Sequence, residues 1–203
     1  MTVRTADSTL IAAVAPRAID QRLVRAGATV ALTLLTAAAA QISVPLPFTP
    51  VPLTLQPMVV LLGAAVMGAR LGASSQVLYL ALGAAGLPVF AASPILPQGA
   101  LRLLGPTGGY LLAYPLAAFV AGYLAERGFD RRYATSLLAM AAGLAIVFAS
   151  GVAWLAAFAT PAAGFDAAMR AGFWPFIGAD LVKLALAAAI LPTVWRFLTP
   201  AAS

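Results

Sequence analysis

Apolar residues run along this chain in long blocks, broken by short polar or proline-rich stretches. A helix needs about 20 predominantly apolar residues to cross a bilayer. On that measure the pattern predicts six spans, at residues 24–42, 54–68, 71–87, 107–125, 133–159 and 173–198. Only Gly68-Ala-Arg70 separates the second span from the third, so these two are expected as an antiparallel hairpin. Two breaks are unusual. Ser43–Pro52 holds four prolines, too many for a regular helix, yet it carries no charge. Residues 88–105 are likewise proline-rich and nearly uncharged, with Arg102 alone. Both segments are expected to lie against the protein or the membrane interface, not free in water. Residues 1–23, with Arg4, Asp7, Arg17, Asp20 and Arg22, read as a frayed or amphipathic cytoplasmic arm ahead of a transmembrane domain at 24–198.

Composition sharpens this picture. The 203 residues are 63% apolar and 9% charged, with a mean hydropathy of +0.98. Soluble domains carry about 25% charge, so a water-soluble class is excluded. The absence of Cys and His removes thiolate and imidazole catalysis, disulfides and the usual zinc motifs. No phosphate-binding glycine loop is present either, so active work must draw on an ion gradient or a partner. The net charge of +6 is scattered over short loops, which fits membrane orientation and no nucleic acid.

Orientation follows from the basic residues. With a cytoplasmic N-terminus, that side holds nine arginines (4, 17, 22, 25, 70, 127, 131, 132 and 196), against Arg102 and Arg170 outside. This is a positive-inside bias with both termini in. Ala37–Gln41 also matches a signal-peptide cleavage site, but cleavage would leave five spans and an outside N-terminus.

The sixth span contains Asp180 and Lys183, three residues apart and so on one helical face. Each costs roughly 2.5–3.5 kcal/mol at a helix centre. A rise of about 1.5 Å per residue puts them roughly 10 and 15 Å below the outer end, too deep for easy snorkelling. They are expected to face the bundle interior, either stapling the helix as a mutual pair or meeting a ligand. The two apolar loops would form a lid and vestibule above them, with Pro45–Pro52 ordering over a ligand. Arg102 is then a natural partner for an anionic group. Gly105–Tyr110 opens the fourth span either as an anion-receiving turn or as a plain junction.

The residues Ala40–Gln56, Gly86–Ala91, Leu104–Tyr110 and Asp180-Leu-Val-Lys183 resemble the BioY family, the biotin-specific substrate-binding subunits (S components) of energy-coupling-factor (ECF) transporters. The resemblance covers residues 24–198. It implies an all-α membrane protein with six transmembrane helices and a vitamin site at the outer side, sitting as a multi-pass protein in the plasma or inner membrane. It implies no enzymatic activity and no cofactor, biotin being the transported substrate. Partners would be a coupling transmembrane subunit, docking on the first helix, and two ATPase subunits. Thr33/Ala37 matches that docking face only loosely. Asp180 is expected to accept from a ureido N–H, with Lys183 holding Asp180 ionised and reaching a ligand oxygen, and Arg102 taking the carboxylate. Phe90, Tyr110 and Trp174 would wall the bicyclic ring, with Gln56 as a polar contact at the loop. The chain departs from the family after Ala91, where a glycine-rich run is expected but 92–103 has only Gly99. A self-sufficient ion-coupled or facilitative transporter, with Asp180 as a proton site, stays open beside this reading. An intramembrane enzyme is disfavoured for want of His, Cys and paired carboxylates.

Overall fold

The computed structural model describes residues 9–14, 20–93, 98–159 and 164–198. The chain is mostly helical. Its helices are α1 (Leu10–Val14), α2 (Gln21–Gln41), α3 (Gln56–Met67), α4 (Ala69–Ala84), α5 (Gly108–Ala125), α6 (Tyr133–Trp154), α7 (Gly164–Gly172) and α8 (Trp174–Leu198). Short 3-10 turns occupy Ala100–Leu104 and Phe129–Arg131, and α6 runs on into one π-helical turn at Leu155–Ala159. Each of the six expected spans corresponds to a helix. Among the described residues four of these, α2, α5, α6 and α8, are long and apolar enough to cross a membrane.

The all-α expectation needs one correction. Strands β1 (Ser43–Val44) and β2 (Leu53–Thr54) pair antiparallel, Ser43 opposite Thr54 and Val44 opposite Leu53. The four prolines at 45, 47, 50 and 52 fall in the loop between them, where no ladder N–H is required. This hairpin also accounts for the shortness of α3. Twelve residues rise only about 18 Å, short of a hydrocarbon core of about 30 Å. Irregular backbone is tolerated at membrane depth only where protein or a cavity covers it. The hairpin satisfies that condition by roofing a cavity. A second correction concerns 160–172, expected as a loop: residues 164–172 form α7, with an Asp166–Arg170 ion pair at 2.7 Å one turn apart.

α5 is the axis of the bundle and packs against α3, α4 and α6. Its small residues Ala117, Ala118, Ala121 and Gly122 are buried, so its neighbours approach to near backbone contact. A side chain at Gly122 would strike the backbone of Gly68 and Ala69. At that junction α3 turns into α4 through one residue, Gly68, whose φ of +89° favours glycine. The first amide of α4, Ala69 N–H, donates to Glu126 Oε1 at 2.9 Å, so a side chain from the end of α5 caps α4. In the N-terminal arm, the short α1 rests on α3 and buries Leu10 in the main core. Around the outside, Leu34, Leu35, Val182, Leu186 and Phe197 are exposed. That apolar girdle suits lipid and would be a liability in water.

Candidate small-molecule site

Beneath the β-hairpin lies a cavity of about 170 Å³, lined by the hairpin loop, the start of α3, residues 90–93, Arg102, and the facing sides of α5, α6 and α8. The loop is held down at its middle. Thr49 donates its hydroxyl to the Ala171 carbonyl at the end of α7 at 2.6 Å, and accepts from Val51 N–H at 3.1 Å.

Asp180 reaches this cavity from α8 and is 5% exposed. Lys183 pairs with one of its carboxylate oxygens and donates a further hydrogen bond to the Thr54 carbonyl at 2.7 Å. No donor among the described residues meets the other oxygen. Lys183 itself does not line the cavity, contrary to the expectation that it reaches the ligand. Two of its three N–H donors are engaged, one holding Asp180 and one tying α8 to the end of β2. The two expectations for this pair therefore meet in one arrangement: the lysine staples, and the carboxylate faces the cavity.

Arg102 stands on the Ala100–Leu104 turn and is 5% exposed, yet it lines the cavity. No carboxylate pairs with it among the described residues, and its Nε has no acceptor. Burial draws its pKa below the ordinary guanidinium value, with the nearby Tyr79 opposing. A guanidinium stays charged at any physiological pH even so. A buried, unpaired cation facing a cavity marks the place for an anionic group, because leaving it unmet is costly.

Gln56, Phe90 and Tyr110 all line the cavity. Tyr110 does so with its ring, since its hydroxyl donates to the Gly172 carbonyl at 2.8 Å. Trp174 does not. It is 62% exposed and packs edge-on against Phe173, with ring centroids 5.0 Å apart. It stands at the very start of α8, and its side chain points away from the bundle face that carries Asp180. The aromatic wall comes instead from Tyr114, Phe148 and Phe176, which the sequence reading missed. A signal was available: Phe176 precedes Asp180 by four residues on α8, and Tyr114 follows Tyr110 by four on α5, spacings that share a helical face. The Gly105–Tyr110 turn proves to be a packing junction. Side chains at Gly108 or Gly109 would meet the Leu103 carbonyl or Trp154, while Pro106 and Thr107 border the cavity.

An apolar, aromatic-walled chamber with one buried carboxylate and one buried guanidinium has the chemistry to receive a small solute. The BioY family profile matches residues 12–200, and the chain belongs to that family. Among its relatives, the probable biotin transporter BioY of Pyrococcus horikoshii is 46% identical over 156 residues, covering 77% of this chain and 86% of that one. The biotin transporter BioY of Thermotoga maritima is 42% identical over 170 residues, covering 84% and 93%. In fold, the chain is similar to the crystal structure of the S-component for biotin from an ECF-type ABC transporter, with a TM-score of 0.76 at 24% identity over 87% of this chain and 93% of that one.

Proposed function

We propose that this chain is the biotin-binding membrane subunit of an ECF-type vitamin transporter, a carrier without catalytic activity of its own. The observation that carries this reading is the single cavity faced by both Asp180 and the unpaired Arg102, in a chain of the BioY family. Biotin matches that pairing in kind. Its ureido ring presents two N–H donors, which suit acceptors such as Asp180, and such charge-assisted bonds strengthen where the dielectric is low. Its valerate carboxylate suits Arg102. Its thioether ring suits the walls of Tyr110, Tyr114, Phe148 and Phe176.

In this reading the chain crosses the plasma or inner membrane six times with both termini in the cytoplasm, as the nine-to-two arginine asymmetry supports. The cavity then opens to the outside, and Pro45–Pro52 closes over the ligand. A coupling transmembrane subunit and two ATPase subunits supply the energy, because no nucleotide-binding motif stands in this sequence.

Proteoliposomes test this against a self-sufficient ion-coupled carrier. The purified chain should bind biotin without ATP or an ion gradient, and an uncoupler should leave that binding unchanged. Net uptake should appear only when the ATPase module is present. Uptake by the chain alone that collapses on adding an uncoupler would establish the ion-coupled carrier instead.

A further inference from the structure

Gln56 lines the cavity from the first turn of α3 and is buried. A side-chain amide offers an accepting carbonyl or a donating NH2, and the one that faces the cavity decides which ligands fit. Here the choice is set from behind the wall. Gln56 Nε2 donates to the Tyr79 hydroxyl at 2.7 Å, and that hydroxyl donates to the Val89 carbonyl at 3.1 Å. A carbonyl can only accept, so the one Tyr79 proton is committed to Val89. Toward Gln56 the hydroxyl is left as an acceptor, which requires the amide to present its NH2 there. Turning the amide round would set oxygen against oxygen in a buried place. The Gln56 carbonyl is thereby left without a donor among the described residues.

The frame around this relay is stiff. Tyr79 is fully buried and packs edge-to-face on Phe90, with centroids 5.4 Å apart. Phe90 in turn sits over Gly83, where any Cβ would strike its ring. Gln98 Nε2 donates to the Phe90 carbonyl at 3.1 Å, fixing the same strip of backbone. On the other side, the Lys183 bond to Thr54 anchors α8 two residues before Gln56.

Resting on the biotin reading, we infer that Tyr79 is a positioning residue that locks the Gln56 amide with its carbonyl toward the ligand. Gln56 and Asp180 then form an acceptor-only pair for the two N–H groups of a cyclic urea. Tyr79 does not touch the ligand. It sets the polarity of the residue that does.

The test is a double-mutant cycle on the full chain, with biotin and the two singly N-methylated ureido biotins as probes and a melting curve for each variant. Gln56→Met should weaken biotin binding about tenfold, as loss of one buried acceptor implies. Tyr79→Phe, which keeps the ring on Phe90, should weaken it about threefold to fivefold by letting the amide turn. The double variant should be no weaker than Gln56→Met alone, because Tyr79 acts through Gln56. In the wild type, methylation of one ureido nitrogen should cost at least about tenfold, and Gln56→Met should erase that particular discrimination. The methyl readout stands without Tyr79→Phe, should that variant fold poorly. Independent, multiplying losses in the cycle, or methyl discrimination that survives Gln56→Met, would overturn the inference while leaving biotin binding intact. A wild-type chain that binds no biotin would overturn the functional reading, and this inference with it.

Discussion

Among the described residues two aspartates are almost completely buried, Asp180 at 5% and Asp130 at 1% exposure, and each has a cation within three residues. They serve opposite ends. Asp130 lies on the Phe129–Arg131 turn between α5 and α6, where it accepts a hydrogen bond from Trp195 Nε1 near the end of α8. Arg131 Nε lies 3.5 Å from its other oxygen, and the same guanidinium stacks 3.4 Å above the Trp195 ring. Both oxygens of Asp130 thus face protein groups, and the residue lines no part of the cavity. It clasps the α5–α6 turn to α8. Asp180 has given one oxygen to Lys183 and turns toward the cavity. Burial and a nearby charge are common to both. What separates a clasp from a binding group is an unused oxygen facing space.

Substitution should separate the two most sharply at the cavity. Asp180→Asn keeps the size of the side chain but loses its charge, and biotin affinity should fall by roughly 10- to 150-fold, or about 1.5–3 kcal/mol. Its melting temperature should move little by comparison. Asp130→Ala should reverse the pattern: removing the acceptor that Trp195 uses costs about 1–3 kcal/mol of stability, while affinity stays within about twofold. Titrations and melting curves on both variants check the contrast. If both variants lose affinity alike, the two sites are not distinct.

A smaller effect follows from pH. Burial, outweighing Trp195 and Arg131, lifts the Asp130 pKa above the ordinary 3.8. The folded state therefore holds its proton to higher pH than the unfolded chain does. The stability this supplies is fully present below pH 3.8 and is lost as pH rises through the folded value. Asp130→Asn stays neutral throughout. The melting temperature of that variant minus that of the wild type should accordingly fall as the pH is lowered from 7 toward 4, and a flat difference would contradict the assignment.

Much of this was legible in the sequence, and the limits have physical causes. Four of the six apolar blocks fall in helices long and apolar enough to cross a bilayer, because apolar runs of that length have few alternatives there. Asp180 stood out because charge is expensive inside a span, and Arg102 because it is alone in an uncharged loop. Trp174 misled because residue type was weighed without helical direction: it lies two residues before Phe176 and so falls on a different side of α8. The division of labour between Asp180 and Lys183 was not readable, since it depends on a carbonyl 129 residues away at Thr54. The strand pairing of residues 43–44 with 53–54 was hidden by the prolines, which argue against a sheet until they are seen to occupy only its loop.

Hydrogen exchange with and without biotin reports on the cavity roof and the Asp130 clasp in one experiment. If Asp180 faces a ligand and Asp130 only clasps helices, protection should rise across residues 43–57, which roof the cavity, and stay unchanged across the Phe129–Arg131 turn around Asp130. Equal protection of residues 43–57 in the presence and absence of biotin, or a rise confined to the Asp130 turn, would contradict it.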